Sequence, residues 1–198
     1  MNDGSLDAAV EALRQGLVVA IPTDTVYGVA VDPFVTGATE RLFDAKRRPR
    51  DVRLPVLVDS VAQAERLAEI DDRARLLMAR FWPGGLTIIL PRLGGVDIAL
   101  GNGAGASTVG VRCPDHDVPR RLCVAVGPLA TTSANLHGEA TPPTADEVRA
   151  LFAEAVAVVV DGGRCEGAPS TVVDCTGSRP KLVREGTVAW ADVLGVMG

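Results

Sequence analysis

Lysine is nearly missing from this chain: Lys46 and Lys181 stand against eighteen arginines. Histidine is as scarce, and neither His116 nor His137 lies near a serine or cysteine nucleophile motif, which leaves a Ser-His or Cys-His mechanism without support. Cys113, Cys123, Cys165 and Cys175 form no C-x-x-C pair and have no histidine at ligand spacing, so zinc is not expected. An even number of cysteines allows two disulfides, but in a cytosolic chain of this size reduced thiols packed as small hydrophobes are the expectation. No apolar run approaches the roughly eighteen residues needed to span a bilayer. Residues 1–16 are polar and lack the basic start and apolar centre of a secretory signal, so a cytoplasmic protein with no membrane association is expected. There is no G-x-x-x-x-G-K-[ST] loop and no G-x-G-x-x-G after a strand, and the segment 101–105 precedes no helical pattern and reads as a mobile loop.

What is present is globular. Nearly half of the 198 residues are apolar and 23% are charged, as in a single domain spanning 1–198 that buries its own core. A net charge of −5 opposes broad coating of nucleic acid, so any RNA contact has to be local. Ser5 can cap a first helix with Leu6, Ala9, Val10 and Leu13 on its apolar face. Strand patterns follow at 17–21, 55–58, 86–90, 108–112, 129–132, 156–160, 171–174 and 181–184. Helical patterns fall at 36–45, at 60–82 in two pieces parted near Asp71, at 118–124, at 144–152 and from 187 on. Strands alternate with helices, and some connections are too short for a crossover. The expected fold is therefore α/β (mixed α+β), a three-layer sandwich around a mixed parallel and antiparallel sheet.

The polar motifs punctuate these elements. Thr23-Asp24-Thr25 follows the first strand, Arg112 ends another, Thr131-Thr132-Ser133-Ala134-Asn135 closes the strand from Leu129, and Asp161-Gly162-Gly163 follows Val160. Open α/β sheets bind ligands beyond strand ends, although each motif alone also reads as a capped turn. The one dense basic run, Lys46-Arg47-Arg48-Pro49-Arg50-Asp51-Val52-Arg53, reads either as a solvated charged surface or as an anion site. In the second case a point ammonium beside planar guanidinium groups suits phosphates and carboxylates.

Along almost its full length the chain resembles the threonylcarbamoyl-AMP synthases, the YrdC-like domain. The matching blocks, in order, are Pro22 to Gly28, Lys46-Arg47-Arg48-Pro49, Trp82 to Thr87, Val109 to Pro114, Thr132 to Asn135 with Gly138, Asp161-Gly162-Gly163 with Pro169 to Asp174, and Leu182 to Gly186. The resemblance implies that L-threonine, bicarbonate or CO2, and ATP with Mg²⁺ are converted to threonylcarbamoyl-AMP and pyrophosphate. A tRNA threonylcarbamoyl-transferase complex would use that product beside the anticodon. It also implies the short, single-domain form of the family, with at most weak direct tRNA contact. A carbamate is already an anionic nucleophile, so such chemistry needs positioning and charge neutralisation but no triad.

Carried over by motif, Thr25, Arg112, Thr131 and Ser170 would form the threonine pocket, with Arg112 on the carboxylate. Lys46, Arg48, Val52, Thr108, Ser133, Thr141 and Arg184 would meet ATP, Lys46 and Arg48 as the catalytic cations on its phosphates. Asn135 would hold the Ser133 turn or touch the ligand. Two departures stand out: Leu57 takes the place of a family histidine that contacts threonine, and Gly85 replaces the proline of Trp-Pro-Gly-Pro. Two other readings stay open, a non-catalytic RNA-binding module using residues 46–53 and a related carbamoyl-adenylate enzyme with another amine substrate.

Overall fold

The computed structural model describes residues 3–101 and 107–197, so most of the glycine-rich segment expected to be a mobile loop lies outside the described residues. In chain order the elements are α1 (Asp3–Arg14), β1 (Val19–Ile21), β2 (Gly28–Val31), α2 (Ala38–Lys46), β3 (Val56–Leu57), α3 (Val61–Ala64), α4 (Asp72–Phe81), β4 (Leu86–Pro91), β5 (Thr108–Arg112), α5 (Asp117–Val126), β6 (Leu129–Ser133), α6 (Ala145–Phe152), β7 (Val158–Val159), β8 (Thr171–Asp174), β9 (Lys181–Arg184) and α7 (Trp190–Met197). Among the described residues the strands form one sheet in the order β7-β1-β2-β6-β3-β5-β4-β8-β9. The pairs β1/β7, β3/β5 and β4/β8 are parallel and the remaining pairs antiparallel. No helix among the described residues is long and apolar enough to cross a membrane.

Helix starts follow local chemistry. Ser60, Asp71 and Thr144 cap α3, α4 and α6, each accepting a hydrogen bond from the backbone N–H three residues on, the arrangement that satisfies an otherwise orphaned donor. Ser5 does not cap: α1 already includes it. The last helix starts at Trp190, later than the pattern from 187 suggests; Thr187 is instead tied to the segment before β8, its N–H donating to Pro169 O at 3.1 Å. β2 is absent from the sequence reading. Gly28–Val31 is buried on both faces, so it has no polar alternation to mark it.

Side-chain alternation sorts the core into two layers. Ala20, Val29, Val31, Val56 and Ala130 pack with Leu42 and Phe43 of α2, Leu77 and Met78 of α4, and Val148 and Phe152 of α6. Their strand neighbours Val19, Ile21, Ala30, Leu57 and Leu129 pack on the opposite face with Leu6, Ala9 and Leu13 of α1 and Val118 and Leu122 of α5. The sandwich is thus three layers deep over β1, β2, β6 and β3. Over β4, β5 and β8 it is not: Leu86, Ile88, Leu90, Val109, Val111 and Val173 face the first layer, and no residue of those strands joins the second cluster. The face that α1 and α5 leave uncovered is where the site lies.

Leu42 is fully buried between α2 and β2. Leu42→Ala is expected to lower the unfolding free energy by about 2 to 5 kcal/mol, the range for truncating a core leucine, as measured by chemical denaturation with an unchanged denaturant slope.

Candidate functional site

A cavity of about 410 Å³ occupies that open face. Its floor is made of alternate residues: Thr87 and Ile89 of β4, Thr108, Gly110 and Arg112 of β5, Thr131 and Ser133 of β6, and Val172 of β8. It is therefore a hollow on the sheet face, not the strand-end crevice that the motif positions suggested. The walls are the Thr23–Gly28 turn, the segment from Arg48 to Leu57, Pro169 with Ser170, and Val183 with Arg184 of the edge strand.

One end is lined with hydroxyls. Thr23 and Thr25 share a hydrogen bond at 2.9 Å, Thr87 Oγ1 and Ser170 Oγ another at 2.9 Å, and Thr131 Oγ1 donates to Val29 O at 3.1 Å. Arg112 ties this end together. Its Nε donates to Gly84 O (3.0 Å), Nη1 to Thr25 Oγ1 (3.0 Å) and Nη2 to Asp24 Oδ1 (2.7 Å). Its pairing with Asp24 is buried and leaves little net charge here. A strap from the far side closes over the turn: Tyr27 Oη donates to Gly163 O at 2.7 Å, and Gly167 N–H donates to Thr25 O at 2.8 Å. A Cβ at Gly167 would lie 2.6 Å from that same oxygen, so only glycine permits the approach.

The other end is cationic. Arg48 donates to Val52 O (3.2 Å) and Arg53 O (3.4 Å). Arg184 donates to Ser170 O (2.8 Å) and Ser170 Oγ (3.2 Å). Neither forms an ion pair among the described residues. Burial is the main cause that lowers both guanidinium pKa values; the charge of Arg184 lowers Arg48 further, and that of Arg112 lowers Arg184. Like charges gathered round one hollow are unfavourable alone and become favourable when an anion enters. Val52 and Val183, 41% and 58% exposed, supply apolar surface beside them.

Lys46 is not part of this lining. It ends α2 and is 1% exposed, and its Nζ donates to Ser133 O (2.5 Å), Asn135 O (2.6 Å) and Asn135 Oδ1 (3.1 Å). Three acceptors match the three N–H bonds of an ammonium. Arg47 supplies the turn: at φ 51° it caps α2 in the left-handed region, which leaves Lys46 inside while Arg48 reaches the cavity. In this structure Lys46 thus anchors the Ser133–Asn135 turn and does not line the cavity where its phosphate contact was expected. Asn135 also lies off the cavity; its Nδ2 donates to Leu136 O (2.8 Å) and Glu139 O (2.7 Å), and it accepts from Ser133 Oγ. It holds the turn. Thr141 is half-buried and outside the lining. The other expected residues, Thr25, Arg48, Val52, Leu57, Thr108, Arg112, Thr131, Ser133, Ser170 and Arg184, all line it.

Thr87, inside the Trp82 to Thr87 block, and Arg53, at the end of the basic run, also line the cavity, although neither was among the residues expected to meet threonine or ATP. Asp24, the partner of Arg112, was equally visible. What signalled them was their place in a motif. All four cysteines are buried and free. Burial pushes Cys113 and Cys175 up to about 11 and Cys123 higher still, so they remain thiols at neutral pH.

The family model for Sua5, YciO and YrdC, described as "Telomere recombination", matches residues 11–186. The chain belongs to the Sua5/YciO/YrdC family. A Mycobacterium tuberculosis relative is 41% identical over 194 residues, covering 96% of this chain and 88% of that protein. The threonylcarbamoyl-AMP synthase of Bacillus subtilis is 38% identical, covering all of this chain and 58% of its own. The crystal structure of Pyrococcus abyssi Sua5 complexed with L-threonine superposes with a TM-score of 0.93 at 36% identity, covering 100% of this chain and 58% of that one. The chain thus spans little more than half the length of these longer family members, and its sheet and layers are those of the shared Sua5/YciO/YrdC fold.

Because Lys46 is a buried anchor, Lys46→Ala is expected to destabilise the ligand-free protein by about 1 to 3 kcal/mol, the cost of stranding buried acceptors. Burial, with the charge of Arg48 second, lowers the lysine from 10.5 to about 8. Between those values the unfolded chain holds a proton that the folded chain has released, so this group's contribution to stability rises with pH. The gap between wild type and variant should widen from pH 8 to 10 in denaturation curves. A lysine facing a phosphate site would leave ligand-free stability unchanged.

Proposed function

We propose that this protein is a threonylcarbamoyl-AMP synthase, converting L-threonine, bicarbonate or CO2, and ATP to threonylcarbamoyl-AMP and pyrophosphate, a nucleotidyl transfer that serves tRNA modification in the cytoplasm. The observation that carries this reading is the division of one cavity into a near-neutral end rich in hydroxyls and an end where the guanidinium groups of Arg48, Arg53 and Arg184 form no ion pair among the described residues. An amino acid offers a carboxylate, an amine and, for threonine, a hydroxyl, which suits Arg112, Asp24 with Thr25, and the Thr87–Ser170 pair. A triphosphate suits Arg48 and Arg184, with Val52 and Val183 as apolar surface for a base. Family membership and the threonine-bound Pyrococcus relative support the same assignment.

In this reaction the threonine amine adds to CO2 through its lone pair and loses a proton, giving a carbamate. A carbamate oxygen then bonds to the α-phosphorus while the bond from α-phosphorus to the bridging oxygen breaks, and pyrophosphate leaves with that electron pair. No protein nucleophile is needed, in keeping with the buried, protonated thiols. The chain's part is to hold both anions on one sheet face and to place fixed cations where charge gathers. Mg²⁺ would arrive with ATP. No group of three or more His, Cys, Asp or Glu side chains among the described residues forms a metal cage, and Asp24 is engaged by Arg112, so no step here rests on a protein-held metal. Leu57, 2% exposed on the cavity wall, cannot offer the hydrogen bond of the family histidine.

Purified protein given ATP, Mg²⁺ and bicarbonate should release pyrophosphate only when L-threonine is added, and release no greater with threonine than with alanine would reject this substrate assignment. Arg48→Ala should weaken ATP binding by at least tenfold, the scale of a charge-assisted hydrogen bond of about 1.5 to 3 kcal/mol, and change threonine affinity much less. Arg112→Ala should do the reverse, as read by calorimetry of each ligand. Arg184→Ala should weaken both, since Arg184 also holds Ser170.

A further inference from the structure

Arg53 faces two ways. It lines the cavity on the sheet face and also a smaller recess of about 200 Å³ on the other side of the 48–54 segment. Of the charged residues round this recess, Arg50, Glu40 and Asp97 are exposed, while Arg53 and Arg92 are half-buried. Arg50 pairs outward with Asp44. The inner charges are therefore both positive.

Among the described residues each inner guanidinium has one hydrogen bond, to a backbone carbonyl: Arg53 Nη2 to Thr108 O at 3.0 Å and Arg92 Nη1 to Ile98 O at 3.2 Å. Neither forms an ion pair with a carboxylate among the described residues. Burial, and secondly the charge of Arg92, lowers the pKa of Arg53. The recess is a built feature: Leu54 N–H donates to Leu100 O at 2.9 Å, and Gly101, at φ +106°, sits where a Cβ would lie 2.7 Å from Arg50 O. Phe43, Ile98 and Leu100 supply low-dielectric walls, in which a charge-assisted hydrogen bond gains strength. Two half-buried like charges with most of their donors unspent, enclosed by apolar side chains, repeat the arrangement of Arg48 and Arg184 in the larger cavity.

We propose that this recess is a second anion site, in which Arg53 and Arg92 hold a phosphate-class oxyanion, orthophosphate or pyrophosphate. Arg53 is the shared wall, so a pyrophosphate leaving the cavity passes a single guanidinium to reach it; that source rests on the function proposed above, whereas the site itself does not. Orthophosphate from solution is the other source.

The test is calorimetric titration of the full chain, without nucleotide, first with inorganic pyrophosphate and then with orthophosphate. Wild type should take up two equivalents of pyrophosphate. Arg92→Ala, and Arg92→Gln, which keeps an amide donor for Ile98 O, should each take up one, and Arg48→Ala should retain the recess equivalent. Affinity at the recess should fall at least tenfold in both Arg92 variants, while threonine-dependent turnover stays within twofold of wild type. Recess binding at least tenfold tighter for pyrophosphate than for orthophosphate identifies the reaction product as the source, and equal binding identifies solution phosphate. No pyrophosphate uptake by wild type, or an uptake that both Arg92 variants match in stoichiometry and affinity, overturns the proposal. Loss of threonine-dependent pyrophosphate release with two pyrophosphate equivalents retained would reject the function reading and leave this site standing.

Discussion

Two loops and a strand end meet at the guanidinium of Arg112. From the end of β5 it reaches Asp24 and Thr25 in the turn after β1 and Gly84 in the turn before β4, segments about thirty to ninety residues away in the chain. The group is 6% exposed, and a buried guanidinium is tolerated only when its charge and donors are matched. Asp24 meets the charge and the two oxygens meet the geometry. The consequence is electrostatic as well as structural. With Arg112 neutralised by Asp24, the unbalanced positive charge of the cavity comes from Arg48, Arg53 and Arg184, so the hollow acquires a near-neutral end and a cationic end.

That asymmetry depends in turn on an incomplete third layer. Helices α1 and α5 bury Val19, Ile21, Ala30 and Leu129, and the same face of β4, β5 and β6 carries Thr87, Thr108, Gly110, Thr131 and Ser133 where a helix would require leucine or valine. Threonine suits a strand because it is β-branched, and it presents a hydroxyl without adding charge. Covering this surface with a helix would strand those hydroxyls. Leaving it open puts polar groups on a rigid sheet, where their positions are fixed better than on loops.

Much of this was legible in the residues. Thr108–Arg112, Thr171–Asp174 and Lys181–Arg184 read directly as strands because Gly, Pro, Asp or Ser punctuates them. β2 did not, since Gly28–Val31 is apolar throughout and abuts a polar motif that reads as a turn. The partial layer could not be foreseen, because which face of Thr87 or Thr131 looks outward depends on pairings such as Ile88 with Val111 and Ala30 with Thr131, and these are long-range. Most expected site residues converge because motif blocks carry their spacing with them. Asn135 shows the limit: a block can be right while a member of it supports the site from outside.

Lys46 shows the same limit more sharply. A lone lysine within an arginine-rich run suggests a site that needs a compact charge, and the structure agrees about the need while changing its object. The three oxygens around Nζ belong to Ser133 and Asn135 of the chain itself. They surround a point at distances that a tetrahedral ammonium can satisfy with one N–H each, whereas a planar guanidinium directs its donors outward in a fork and is too large for a pocket that leaves Lys46 1% exposed. Arginine is the default cation of this chain, used wherever a fork can spread across carbonyls, carboxylates or an entering anion. At position 46 lysine fits because the acceptors close on one atom, and by fixing the backbone of Ser133 it helps set where that cavity residue stands.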